Sequence, residues 1–120
     1  MLVVDGNASL GGVLAELLAD EPGFALAGCA VTGAQALRLA RENRVDVALI
    51  DERLDDALAT HVLQGLRRLC PDAVLLVWSY DAVHTVVADA DGVLERGMTF
   101  RDLVRSVRAV LRERRSATVS

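Results

Sequence analysis

Apolar residues fall along the chain in two alternating patterns. Short runs at residues 2–4, 45–50 and 74–77 are apolar at nearly every position, broken only by Asp46, as in parallel strands covered on both faces. Between them apolar residues recur at intervals of three and four, the spacing of an amphipathic helix. Leu10, Val13, Leu14, Leu17 and Leu18 form the first such stripe, and Ala36, Leu37 and Ala40 the second. Leu58, Val62, Leu66 and Leu69 form the third, and Leu103, Val107, Val110 and Leu111 the last. Residues 24–31 read as a second strand, weak in propensity through its Ala and Gly and so placed at an edge. Val83, Val86, Val87 and Ala90 suggest a short helix, and Val93-Leu94 a short fifth strand.

Punctuation agrees with this division. Pro22-Gly23 stops the first helix and Pro71 the third. Thr32 with Gln35, and Thr99 with Asp102, have the spacing of side chains that cap a helix N-terminus. The result is a strand-helix unit repeated five times, (βα)5, which predicts an α/β fold: a doubly wound, five-stranded parallel sheet with helices on both faces and right-handed crossovers. With 120 residues there is material for one core, so one domain is expected over residues 1–115. Residues 116–120 are small and polar, and read as a tail or the start of a linker.

Composition narrows the chemistry. No apolar run approaches the roughly 20 residues that span a bilayer, and no basic-then-apolar leader opens the chain, so a cytoplasmic protein with no membrane partner is expected. Cys29 and Cys70 lack any metal or disulfide spacing and read as buried thiols. His61 and His84 have no carboxylate or Cys partner at ligand spacing. The net charge of −4 is uneven: residues 101–115 carry six Arg against Asp102 and Glu113, which leaves about −8 on residues 1–100. A basic helix on an acidic body, without interleaved aromatics, reads as a solvated face rather than a nucleic-acid surface.

A doubly wound sheet binds its ligands outside the carboxyl ends of the strands, where the strand order reverses. In the order 2-1-3-4-5 that point lies between strands one and three. Their carboxyl ends are Asp5 and Asp51. Two facing carboxylates repel, which favours a shared proton or a cation between them.

LVVDGN at residues 2–7, ALIDERL at 48–54 and ADGVLERG at 90–97, ahead of a terminal amphipathic helix, resemble the receiver domain of bacterial response regulators. The resemblance covers essentially the whole chain and is nearest to receivers that precede a helix-turn-helix output domain of the LuxR/NarL type. It implies a flavodoxin-like, CheY-like fold and a signalling domain rather than an enzyme. It also implies phosphoryl transfer from a histidine kinase to Asp51, with Asp5 in an acidic pocket and Mg²⁺ held by Asp5 and Asp51. DNA would be reached only through an output domain, and the domain would pair as a homodimer.

The departures from that pattern are specific. The family has two adjacent acids after strand one, whereas here Asp5 is followed by Gly6, so Mg²⁺ binding is expected to be weak, with Asn7 offering only an amide oxygen. The hydroxyl expected at the end of strand four falls within WSYD, where the register leaves Trp78 or Ser79 at the position; Ser79 is preferred because an indole cannot serve. Arg96 replaces the usual Lys and is expected to pair with the phosphate or with a carboxylate. These changes predict a receiver with impaired Mg²⁺-dependent phosphorylation that controls a transcriptional output through protein contacts. The alternatives are an ordinary phosphoacceptor modified on Asp51 and a small flavodoxin-like carrier whose DGNASLGG loop cradles a phosphate.

Overall fold

The computed structural model describes residues 1–52, 54, 56–82, 87 and 89–119, the last five by backbone alone. Nine elements follow in chain order: β1 (Leu2–Val4), α1 (Ala8–Ala19), β2 (Gly28–Ala30), α2 (Gly33–Glu42), β3 (Val47–Asp51), α3 (Ala59–Leu69), β4 (Val74–Ser79), β5 (Gly92–Glu95) and α4 (Phe100–Val119). The strands form one parallel sheet in the order β2-β1-β3-β4-β5, as the alternation of runs and stripes predicts. The short helix expected over Val83, Val86, Val87 and Ala90 lies largely outside the described residues.

Successive strand residues point to opposite faces, and the core divides accordingly. Leu2, Val4, Ile50, Leu75 and Val77 pack with Ala36, Val62, Leu63 and Leu66 of α2 and α3. Val3, Leu49, Val74 and Leu76 pack with Leu14, Leu18, Leu103 and Val107 of α1 and α4. Each central strand is therefore apolar at every position because both of its faces are roofed by helices.

Five expectations need correction. The buried face of α1 is Gly11, Leu14, Ala15 and Leu18, while Leu10, Val13 and Leu17 of the predicted stripe are exposed. The helix lies so close to the sheet edge that a Cβ on Gly11 would stand 3.2 Å from both Asp5 Cβ and Cys29 Sγ, so small residues face inward and the larger ones turn out. Similarly, α3 turns Ala59, Val62, Leu63 and Leu66 inward and leaves Leu58 and Leu69 exposed. β2 is three residues long rather than eight: after the turn at Pro22-Gly23, residues 24–27 meet the sheet only through Met1, and Val31 already belongs to the cap of α2. Finally, α4 continues to Val119 instead of ending near residue 115, since neither Gly nor Pro interrupts it. Cys29 is exposed and Cys70 half-buried, not buried thiols.

The caps form as their residue types dictate. Thr32 Oγ1 accepts from Gln35 N at 3.1 Å, and Gln35 Oε1 reaches back to Val31 N at 2.9 Å. Thr99 Oγ1 accepts from Asp102 N at 3.1 Å. α2 has a second, distant cap: the Asp56 carboxylate, in the loop after β3, accepts from Gly33 N at 2.8 Å and Ala34 N at 3.2 Å. These two bonds hold the Asp56 carboxyl below its ordinary pKa.

Candidate functional site: an acidic cleft closed by an arginine

Val4 and Ile50 are register partners, so the residues that follow them, Asp5 and Asp51, emerge side by side at the carboxyl edge of the sheet. With Gly6, Asn7, Ala8, Leu10, Tyr80 and Arg96 they line an open cleft of about 600 Å³. The sheet topology thus brings together Asp5, Asp51 and Arg96 at the switch point.

Asp5 is fully buried, and both of its carboxylate oxygens are engaged. Oδ1 accepts from Asn7 N at 2.9 Å, and Oδ2 accepts from Arg96 Nη2 at 2.7 Å. The Asp5 amide donates to Ala30 O at 2.9 Å, which ties the cleft floor to the edge strand β2. Asp51 is more open, with 21% of its side chain exposed, and its Oδ2 lies 3.4 Å from Arg96 Nη1. Asn7 is the N-cap of α1, where its Oδ1 accepts from Leu10 N at 3.1 Å.

Arg96 is placed by the end of β5. Its amide donates to Ser79 O at 2.8 Å, which aims the side chain back across β4 toward β3 and β1. Only 8% of that side chain is exposed, and the guanidinium lies over the Trp78 ring at 4.8 Å and the Tyr80 ring at 5.4 Å. Burial alone would lower the Arg96 pKa, but the hydrogen bond to Tyr80 and the charges of Asp5 and Asp51 outweigh it and hold the group above its ordinary value. The cation is permanent.

The hydroxyl candidate Ser79 lies elsewhere. Asp51 is the register partner of Trp78, so these two share a face of the sheet and Ser79, one residue on, turns to the other. There Ser79 Oγ donates to Glu52 Oε2 at 2.7 Å and accepts from Asp81 N at 3.0 Å. Trp78 therefore occupies the position that sequence reasoning preferred for Ser79. The signal was the one-residue ambiguity of register in WSYD, which only the pairing of β3 with β4 resolves. Glu52, whose partner is distant in sequence, went unmarked.

On the strand-one side of the cleft the oxygens that could face a divalent cation are already engaged within the fold. Asp5 is held by Asn7 N and Arg96, the Asn7 amide oxygen caps α1, and Gly6 has no side chain to offer. Among the described residues no group of three or more His, Cys, Asp or Glu is arranged to hold a metal ion. His61 is exposed, and His84 lies outside the described residues.

No family model matches the chain. It is 36% identical over 129 aligned positions to the transcriptional regulatory protein PrrA of Mycobacterium bovis, which takes in 100% of this chain and 53% of that protein. It is 30% identical over 115 positions to the response regulator GacA of Pseudomonas aeruginosa, across 92% of this chain and 54% of the relative. The chain spans about half the length of the curated relatives it matches. Among solved structures, a CheY-like response regulator receiver domain protein from Methanospirillum hungatei superposes with a TM-score of 0.82 at 22% identity, covering 97% of this chain and 95% of that one. A LuxR-family two-component response regulator from Aurantimonas superposes at 0.78 with 22% identity, covering 93% and 84%. A response regulator from Burkholderia pseudomallei, with a phosphorylated aspartic acid, calcium ion and citrate, superposes at 0.72 with 24% identity, covering 90% and 69%.

Proposed function

We propose a mode of action for this chain as a response regulator receiver domain of the CheY-like type, the reading that its relatives and structural neighbours support. It acts in a two-component-type regulator and controls a transcriptional output through protein contacts, with Mg²⁺-dependent phosphorylation of Asp51 impaired. The observation that carries the impairment is the pairing of Asp51 with Trp78: an indole stands beside the acceptor, and the nearest hydroxyl of that strand, Ser79, is turned to Glu52. Among the described residues of β4 none offers an incoming phosphoryl group a hydroxyl beside Asp51, and Arg96 is already shared between two carboxylates. The test is intact-mass analysis after incubation with Mg²⁺ and a small phosphodonor. Little or no phosphate-sized gain is expected; stoichiometric labelling that disappears in Asp51→Asn would overturn the impairment.

That result would promote an ordinary phosphoacceptor modified by a histidine kinase, which the openness of Asp51 to the cleft favours. In either case the surroundings are the same: a cytoplasmic regulator, a homodimer, and DNA reached through an output domain of the LuxR/NarL type. Residues 1–115 act as the receiver and 116–120 begin the connection to that output. Among the described residues no helix is long and apolar enough to cross a membrane.

A further inference from the structure

We infer that Arg96 is the resident cation of the cleft, a guanidinium paired with both of its carboxylates, and that its presence is what keeps a divalent ion out. This deepens the receiver reading above and rests on it. The argument starts from charge. The pocket holds two carboxylates, Asp5 and Asp51, and Gly6 removes the third that the family pattern would supply. With Arg96 counted the site carries about one negative charge, where a third carboxylate would leave two, so it draws a divalent ion less strongly than the family pattern would.

Geometry points the same way. Mg²⁺ demands near-octahedral oxygen coordination at about 2.0–2.1 Å and dehydrates reluctantly, so it needs oxygens free to turn toward it. At Asp5 each oxygen already accepts one strong hydrogen bond, from Asn7 N and from Arg96 Nη2, so a cation would have to share or displace those partners. The two terminal nitrogens of Arg96 face separate carboxylates, Nη2 donating to Asp5 at 2.7 Å and Nη1 lying 3.4 Å from Asp51, so one planar fork is spread across both. Trp78 and Tyr80 then fix the plane of the fork from their ring faces, leaving the side chain little room to swing out. Trp78, beside Asp51, is thus a positioning residue for the cation.

The experiment is a MgCl₂ titration of the 120-residue chain and two variants, followed by Trp78 fluorescence and by melting temperature. The parent is expected to show no saturable response up to about 10 mM Mg²⁺. Arg96→Gln, which leaves the two carboxylates without their cation, is expected to bind Mg²⁺ about tenfold or more tightly than the parent and to melt at a higher temperature in its presence. Arg96→Lys keeps a positive charge and guards against a glutamine variant that does not fold; its compact, mobile ammonium holds the two carboxylates less rigidly than the fork, and a weaker response of the same sign is expected. Sub-millimolar Mg²⁺ affinity in the parent, or folded variants as insensitive as the parent, would overturn the inference. Phosphodonor labelling of the parent reports separately: labelling without any Mg²⁺ response defeats the proposed impairment and agrees with Arg96 as the cation.

Discussion

Trp78 lies directly across from Asp51 in the pairing of β3 with β4, and its ring carries the Arg96 guanidinium at 4.8 Å. One side chain thereby occupies the place beside the candidate acceptor and supports the cation that pairs with it. Replacing Trp78 with Thr removes the indole from the cluster it shares with Leu94 and Phe100, and a cost of about 2 kcal/mol is expected for a half-buried ring. Urea denaturation measures it. Phosphodonor labelling of the same variant should exceed that of the parent, because a hydroxyl then stands beside Asp51.

Asp5 and Arg96 form a buried pair at 2.7 Å, so removing one partner strands the other. Arg96→Met is expected to cost about 3 kcal/mol or more. Asp5→Asn in the Arg96→Met background should cost less than it does alone, giving a coupling of at least about 1 kcal/mol in a double-mutant cycle. Additive losses would show that the pair is not coupled. Asp51→Asn, at a more exposed position and a longer contact, should change stability by no more than about 1 kcal/mol.

Asp91 fastens the start of β5. Its Oδ2 accepts from Leu75 N at 2.8 Å and from Arg67 Nη2 at 3.0 Å, and its Oδ1 from Arg114 at 3.1 Å. Burial would raise its pKa, but these bonds outweigh burial and lower it. A carboxyl whose folded pKa is depressed adds stability that is present above its unfolded value, near 3.9, and is lost as pH falls through the folded value. At pH 7 Asp91→Asn should therefore be less stable than the parent by about 1 to 2 kcal/mol. Thermal melting across pH should show that gap closing below about pH 4.

Gly33 opens α2 where a Cβ would stand 2.8 Å from Val62 Cγ2 and 3.3 Å from Ala57 Cβ. Val62 is almost fully buried and β-branched, so it cannot rotate aside. Gly33→Ala should lower stability by about 1 to 2 kcal/mol despite the better helix propensity of Ala, which a shift in the urea midpoint at unchanged slope would report.

The strand order was legible because residues 45–50 and 74–77 are apolar on both faces, which only a doubly roofed parallel sheet requires. Asp5 and Asp51 followed from that order, and Arg96 from the GVLER motif. Less legible was which side of a helix faces inward when the helix sits close. Leu10, Val13 and Leu17 look like a core stripe, yet Gly11 and Ala15 face the sheet because only small residues fit there. The placement of Ser79 was a matter of one residue of register, and a shift of one turns every side chain to the other face. The link between Glu52 and Ser79 joins residues 27 apart and leaves no local signature.

The carboxylate of Asp56, lodged on the first amides of α2, ties the order of assembly to the chain's topology. Thr32 caps the helix from within, but Gly33 N and Ala34 N wait for a residue more than twenty positions downstream, which arrives only once β3 has entered the sheet. A fragment ending before residue 56 would hold this helix with a frayed beginning, and in the whole domain its first turn should exchange amide protons in step with the loop that follows β3. The loop after β3 and the first turn of α2 are, in that respect, one cooperative unit.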